Sequence, residues 1–183
     1  MTALFNRYEL KDETELMNKI ADKMLQLPWF KNIGNFNQET ETKLVELLDE
    51  LHVDQYKIQW IAKDMLTEKL NAISFGDSAV WKALKDLPTT YIEKIEQKEM
   101  EEAWNILLQD FQEHLFHVVF DKAYEQYQEE EELRYLIYNA HYVSIIITLA
   151  ELAGDTDFAD KLTQVQATGN VVVGFQGENL YLL

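Results

Sequence analysis

From Tyr91 to Ala153 the chain contains neither glycine nor proline, and helix-forming residues dominate throughout. An unbroken helix of that length would measure roughly 95 Å, more than a compact domain of this size can hold. The stretch must therefore turn back on itself. The break is expected at Gln128 to Glu132, because consecutive glutamates are stabilised at the N-terminal end of a new helix by its macrodipole. This gives an acidic amphipathic helix up to about Gln128 and a largely buried one from about Glu130 to Leu152. The apolar run within the second, Tyr135 to Ala150, is interrupted by Asn139, His141, Ser144 and Thr148. It is too short to span a bilayer comfortably and reads as a buried helix.

Shorter segments on either side carry ordinary start and stop signals. Asp12 or Thr14 can cap a first helix whose apolar positions Leu16, Ile20, Met24 and Leu27 recur at helical spacing until Pro28. A loop follows, rich in asparagine, with Trp29, Phe30 and Phe36 expected to fold back onto the core. Thr40 or Thr42 opens a helix carrying Leu44, Leu47, Leu48 and Leu51. Asp54 is the expected N-cap of another, with Ile58, Ile61, Met65, Leu66 and Ile73 as its stripe, Trp60 at the margin and Gly76 at its end. Asp77 or Ser78 starts a short helix that Pro88 closes, and Thr89 or Thr90 begins the next. Gly154 and Asp155 precede a last short helix near Phe158 to Gln164.

The tail changes period. Val171, Val172 and Val173 are β-branched, Gly174 to Asn179 reads as a turn and Leu180 to Leu183 is apolar, so a β-hairpin is expected over residues 170–183. Two strands alone are marginal, and this hairpin must lean on the helices or on a partner. The fold class that follows is mainly all-α: a compact bundle of about six to seven helices with a small C-terminal β-hairpin, forming one domain over residues 1–183. A hydrophobic content of 47% supports a real core rather than a disordered acidic chain.

Cysteine is absent, which excludes disulfides, thiolate nucleophiles, Cys-ligated zinc and iron–sulfur clusters. No G-x-S-x-G, Walker loop, dinucleotide fingerprint or H-E-x-x-H occurs. No cofactor and no catalytic residue is therefore assigned, and the expectation is a protein that is not an enzyme. Residues 1 to 10 hold Arg7 and Glu9 and no apolar core, which favours the cytoplasm over secretion.

Charge is the strongest functional signal. The formal net charge is −17, and residues 99–183 hold 16 acidic residues against Lys122, Arg134 and Lys161. Glu99, Glu101, Glu102, Asp110, Glu113, Asp121, Glu125, Glu129, Glu130, Glu131 and Glu132 form its densest part, continuing from Glu93 and Glu96. Such a field disfavours direct contact with nucleic acid or anionic membranes and speeds encounter with a basic protein. These eleven carboxylates are the candidate partner-binding residues; as a bland alternative, they form a solvated face that keeps the protein soluble.

Two histidine settings also call for comparison. Asp110, Glu113, His117 and Asp121 share a helix flank and are candidates for a divalent metal, although an exposed acidic face explains them as well. The paired Glu-x-x-His motifs of di-iron bundles are missing. His114 lies nearer the face of Leu107, Phe111 and Leu115 and reads as a partly buried, hydrogen-bonded residue. His141, among Tyr138, Tyr142 and Ile145, reads as structural.

The leading expectation is a binding module that docks on a basic protein partner, with inhibition of that partner as one consequence. It takes two forms, an immunity- or antitoxin-like plug that mixes acids with anchors such as Tyr124, Tyr127 or Tyr135, and a nucleic-acid mimic with two rows of carboxylates. The other classes are a helical metal-binding protein or enzyme using the His117 flank, and a structural subunit whose hairpin adds to a partner's sheet edge.

Overall fold

Seven α-helices and one three-stranded sheet make up the regular structure of the residues described by the computed structural model, which are 11–66, 68–69, 78–96, 102–126 and 131–183. The first helix, α1 (Lys11–Gln26), buries Met17, Ile20, Ala21 and Met24 along one face. Asp12 and Thr14 lie inside it rather than capping it, and the Thr14 carbonyl accepts a hydrogen bond from Asn18 Nδ2 at 2.8 Å. Leu27 and the loop beyond Pro28 turn inward: Trp29 and Phe30 are buried, and Trp29 Nε1 donates to the Met24 carbonyl at 2.8 Å. Phe36 instead stays exposed, edge-on to Trp60.

Helix α2 (Gln38–Glu50) is capped by Asn37, whose side chain accepts from the Glu39 N–H at 3.0 Å. Thr40, expected at that boundary, is buried in the helix and donates to Asn170 Oδ1 at 2.9 Å. The expected helix from Asp54 is overturned over its first turns. Lys57–Trp60 forms strand β1, with Ile58 and Trp60 half-buried between exposed Lys57 and Gln59. Four residues fit a period of two as readily as a helical stripe, and parallel pairing with the C-terminal strand decides between them. Ile61 and Leu66 beyond it are buried, while Ile73 and Gly76 lie outside the described residues.

Ser78 caps α3 (Ala79–Lys85) by accepting from the Trp81 N–H at 3.3 Å. Pro88 does not close that helix. It sits in the first turn of α4 (Leu87–Glu96), where a missing N–H costs nothing. Within the glycine-free stretch α4 ends at Glu96, α5 spans Glu102–Gln126 and α6 spans Glu131–Ala153; α4 packs on α6, and α5 packs on α1 and α6. Of the expected break, Gln128 to Glu130 lie outside the described residues, and Glu131 and Glu132 open α6. Helix α6 (Glu131–Ala153) is the centre of the molecule, in contact with α1, α4, α5, the short α7 (Thr156–Gln166) and the sheet.

By length and composition Arg134–Ala153 would suffice to cross a membrane, and half of that apolar window is buried within the protein. Its polar interruptions are each bonded. Ser144 Oγ donates to the His141 carbonyl at 2.7 Å, Thr148 Oγ1 to the Ser144 carbonyl at 2.8 Å and Asn139 Nδ2 to the Val173 carbonyl at 3.0 Å.

The hairpin forms as expected, with a shorter turn: β2 (Val172–Gln176) pairs antiparallel with β3 (Asn179–Leu182), and one residue bulges between Val172 and Gly174. The sheet order is β1-β3-β2, with Lys57 opposite Asn179 and Trp60 opposite Leu182. Leu180 to Leu183 are buried, so the tail belongs to the core of its own chain.

Candidate interaction face

Helix α5 carries more apolar surface than its neighbours cover. Leu107, Phe111, Leu115, Val118, Val119 and Ala123 form its buried arc. Beside that arc Phe116, Phe120 and Tyr124 recur every four residues, which sets them one above another on a helix. Their rings stack at 6.0 Å between Phe116 and Phe120 and at 5.5 Å between Phe120 and Tyr124. From α6, Tyr138 tilts against Phe116 at 6.0 Å, and Tyr135 lies one turn before it. Phe120, Tyr124, Tyr135 and Tyr138 are 37, 51, 55 and 62% exposed, so this row faces outward.

A second row runs alongside on the same helix. Glu113, His117 and Asp121 follow the same four-residue spacing, and all three are exposed. Among the described residues, neither Glu113 nor Asp121 takes part in an ion pair or a side-chain hydrogen bond. Asp110, one turn earlier, is half-buried and engaged. Of the other candidate residues, Glu102 and Glu125 are positions of α5, and Glu131 and Glu132 open α6. Glu99, Glu101, Glu129 and Glu130, with the anchor candidate Tyr127, lie outside the described residues.

Four carboxylates elsewhere in the C-terminal half, Glu151, Asp155, Asp160 and Glu178, are matched by groups from the first half. Lys23 Nζ sits 3.2 Å from Glu151 and 2.8 Å from Asp160, and Lys57 Nζ 3.0 Å from Glu178. Burial opposes the charge on Lys23, yet its two carboxylates raise its pKa overall. Lys161 pairs with Glu50, and Asp155 accepts from the Tyr91 hydroxyl at 2.9 Å. Burial and that acceptor together push the Tyr91 phenol well up.

The histidines divide by position. His141 Nε2 lies 3.1 Å from the Gln112 carbonyl, which can only accept, so the proton is on Nε2. Its ring stands edge-on to Phe116 at 5.2 Å, and burial lowers its pKa, partly offset by that hydrogen bond. A main-chain partner and a neighbouring aromatic ring describe a cross-link between α5 and α6. His114 is half-buried, and burial followed by the neighbouring His117 lowers its pKa as well. Among the described residues no group of three or more His, Asp or Glu side chains is placed to hold a metal ion, although Asp110, Glu113, His117 and Asp121 do share one flank.

Sequence reasoning names Tyr124 and Tyr135 as candidate anchors and the Glu113 to Asp121 flank, but not Phe116, Phe120 or Tyr138, whose rings the structure places in the same row. Apolar rings on a helix usually belong to the core, and the signal against that reading was the breadth of the apolar arc of α5. Compared with protein-family models, curated proteins and solved structures, the chain matches none.

Proposed function

We propose that this chain is a binding protein without chemistry of its own, and that the outer face of α5 and α6 docks on a basic protein partner and blocks the surface it covers. The observation that carries this reading is the pair of adjacent rows on α5: stacked, exposed rings beside Glu113 and Asp121, which pair with no lysine among the described residues. Exposed aromatic clusters of this kind mark interaction sites, and tyrosines are frequent anchors at such interfaces. The formal charge of −17 opposes docking of a second copy or of an anionic surface and favours a cationic partner. Arginine fits both rows at once, since its guanidinium stacks on rings while bonding to carboxylates. One carboxylate row flanked by rings also favours an anchored plug over a nucleic-acid mimic.

The test uses two otherwise identical cationic peptides, one built with arginine and the other with lysine, titrated into the full chain at low and high salt. The arginine peptide is expected to bind about two- to fivefold more tightly, through ring stacking. Both affinities should fall as salt rises. Tyr124→Ser with Tyr138→Ser should erase the arginine preference, and Glu113→Gln with Asp121→Asn should weaken both peptides. Equal affinities that none of these substitutions changes would sink the reading.

A further inference from the structure

A different part of the molecule, which the docking face leaves unused, contains an internal space. Between α2, α3, α6, α7 and the hairpin lies a cavity of ≈ 70 Å³, walled by leucine, valine, isoleucine and aromatic side chains. None of the residues lining it is charged. Trp81 and Tyr142, both only partly buried and with rings 6.1 Å apart, stand where the lining approaches the surface.

The polar groups around this space are unequal. Asn139 is engaged by the Val173 carbonyl, and the nearby buried threonines Thr163 and Thr168 each donate to a main-chain carbonyl at 2.7 Å. Gln166, on the last turn of α7, is only 6% exposed and lines the cavity. Among the described residues its side-chain amide meets no hydrogen-bond partner. The Gln166 amide keeps accessible surface rather than being sealed off, and a guest in the space beside it can supply the missing partner.

Water alone fits this space poorly, since an ordered water needs two to four polar partners and the wall is almost wholly hydrocarbon. An apolar cavity of about 150 Å³ accommodates benzene, so a space of half that size suits a guest of roughly three to five non-hydrogen atoms. The absence of charge among the lining residues gives an ion no counter-charge, and the guest must be neutral.

We propose that this cavity is a binding site for a small neutral aliphatic molecule with a single hydrogen-bonding end, a short-chain alcohol or primary amide, whose polar end meets the Gln166 amide.

The experiment labels the full chain with 5-fluorotryptophan, assigns the Trp81 resonance through Trp81→Phe, and follows it by fluorine NMR during titration with butan-1-ol and, separately, under xenon. A saturable shift confined to Trp81 is expected with both probes. Gln166→Leu should weaken butan-1-ol about five- to tenfold, the effect of one lost hydrogen bond, while leaving the xenon response in place. Val143→Phe should fill the space and abolish both responses; if circular dichroism shows that variant misfolded, Val172→Phe takes its place, and the Gln166→Leu comparison decides regardless of either. No saturable Trp81 shift, which would indicate trapped water at most, overturns the proposal. So does butan-1-ol binding that Gln166→Leu leaves unchanged.

Discussion

The seam where residues 168–170 pass the loop after Pro28 and the outer face of α5 treat polar groups in opposite ways. In the seam, Asn170 Nδ2 donates to the carbonyls of Asn32 at 2.8 Å and Asn35 at 2.9 Å while its Oδ1 accepts from Thr40. The Asn32 N–H donates to the Gly169 carbonyl at 2.9 Å, and Asn32 Nδ2 donates to the Thr168 carbonyl. Each of these partners is fixed by another. On α5 the carboxylates of Glu113 and Asp121 and the rings of Phe120 and Tyr124 face outward. The seam therefore specifies the fold, and the face is free to specify something else.

Breaking the seam should produce the largest effects. Gly169 has φ +77°, and a Cβ there would stand 2.9 Å from the Pro28 carbonyl oxygen and 3.3 Å from the Asn32 nitrogen. Gly169→Ala is expected to lower stability by about 2–4 kcal/mol in urea denaturation, because left-handed backbone and a main-chain clash coincide. Asn170→Ala should come next, at about 2–3 kcal/mol, since it strands the buried Thr40 hydroxyl and removes both bonds to the loop, where the Asn32 carbonyl keeps only the Asn35 N–H. An Asn170→Ala chain as stable as the parent would show that the seam is dispensable.

Acidification tests the contact between the two helices that carry the face. The folded-state pKa values of His141 and His114 are depressed, chiefly by burial, so the unfolded chain takes up protons first. Their contribution is intact above about pH 6.5 and declines as pH falls from there through the lower folded-state values. His141→Gln, which keeps a donor for the Gln112 carbonyl, should flatten the loss measured between about pH 7.5 and about pH 5. An unchanged slope would remove His141 from that account.

The smallest effect belongs to the face itself. Tyr124→Ser and Tyr138→Ser should each change stability by no more than about 0.5 kcal/mol, since both rings are more than half exposed. A larger loss would mean that the rings hold α5 and α6 together, and the comparison between seam and face would narrow.

What could be read without coordinates follows from distance along the chain. The apolar faces of α1 and α2 and the hairpin are local patterns, and each appears where periodicity placed it. Strand β1 is not local: Lys57-Ile58-Gln59-Trp60 is neutral between helix and strand until Asn179 to Leu182 arrives beside it. The gap between α4 and α5 has no glycine or proline to announce it. Pro88 was legible as punctuation, but its side of the boundary was not, because proline suits a helix start as well as it ends the helix before. Of the face, the charges were visible and the exposure of Phe120 was not, since exposure depends on which neighbours are missing. The cavity depends on five elements meeting and leaves no trace in any one of them.

The middle strand of the sheet comes last in sequence. Gln59 and Asn179 share a side-chain hydrogen bond across 120 positions, so β1 has no strand beside it until nearly the whole chain has been gathered. Helical pairing between α5 and α6 needs only a short loop, whereas closing this sheet needs a very long one. Refolding should thus proceed with early gain of helix and a later, slower burial of Trp60, and amide protons of β1 should be the last to acquire protection from exchange.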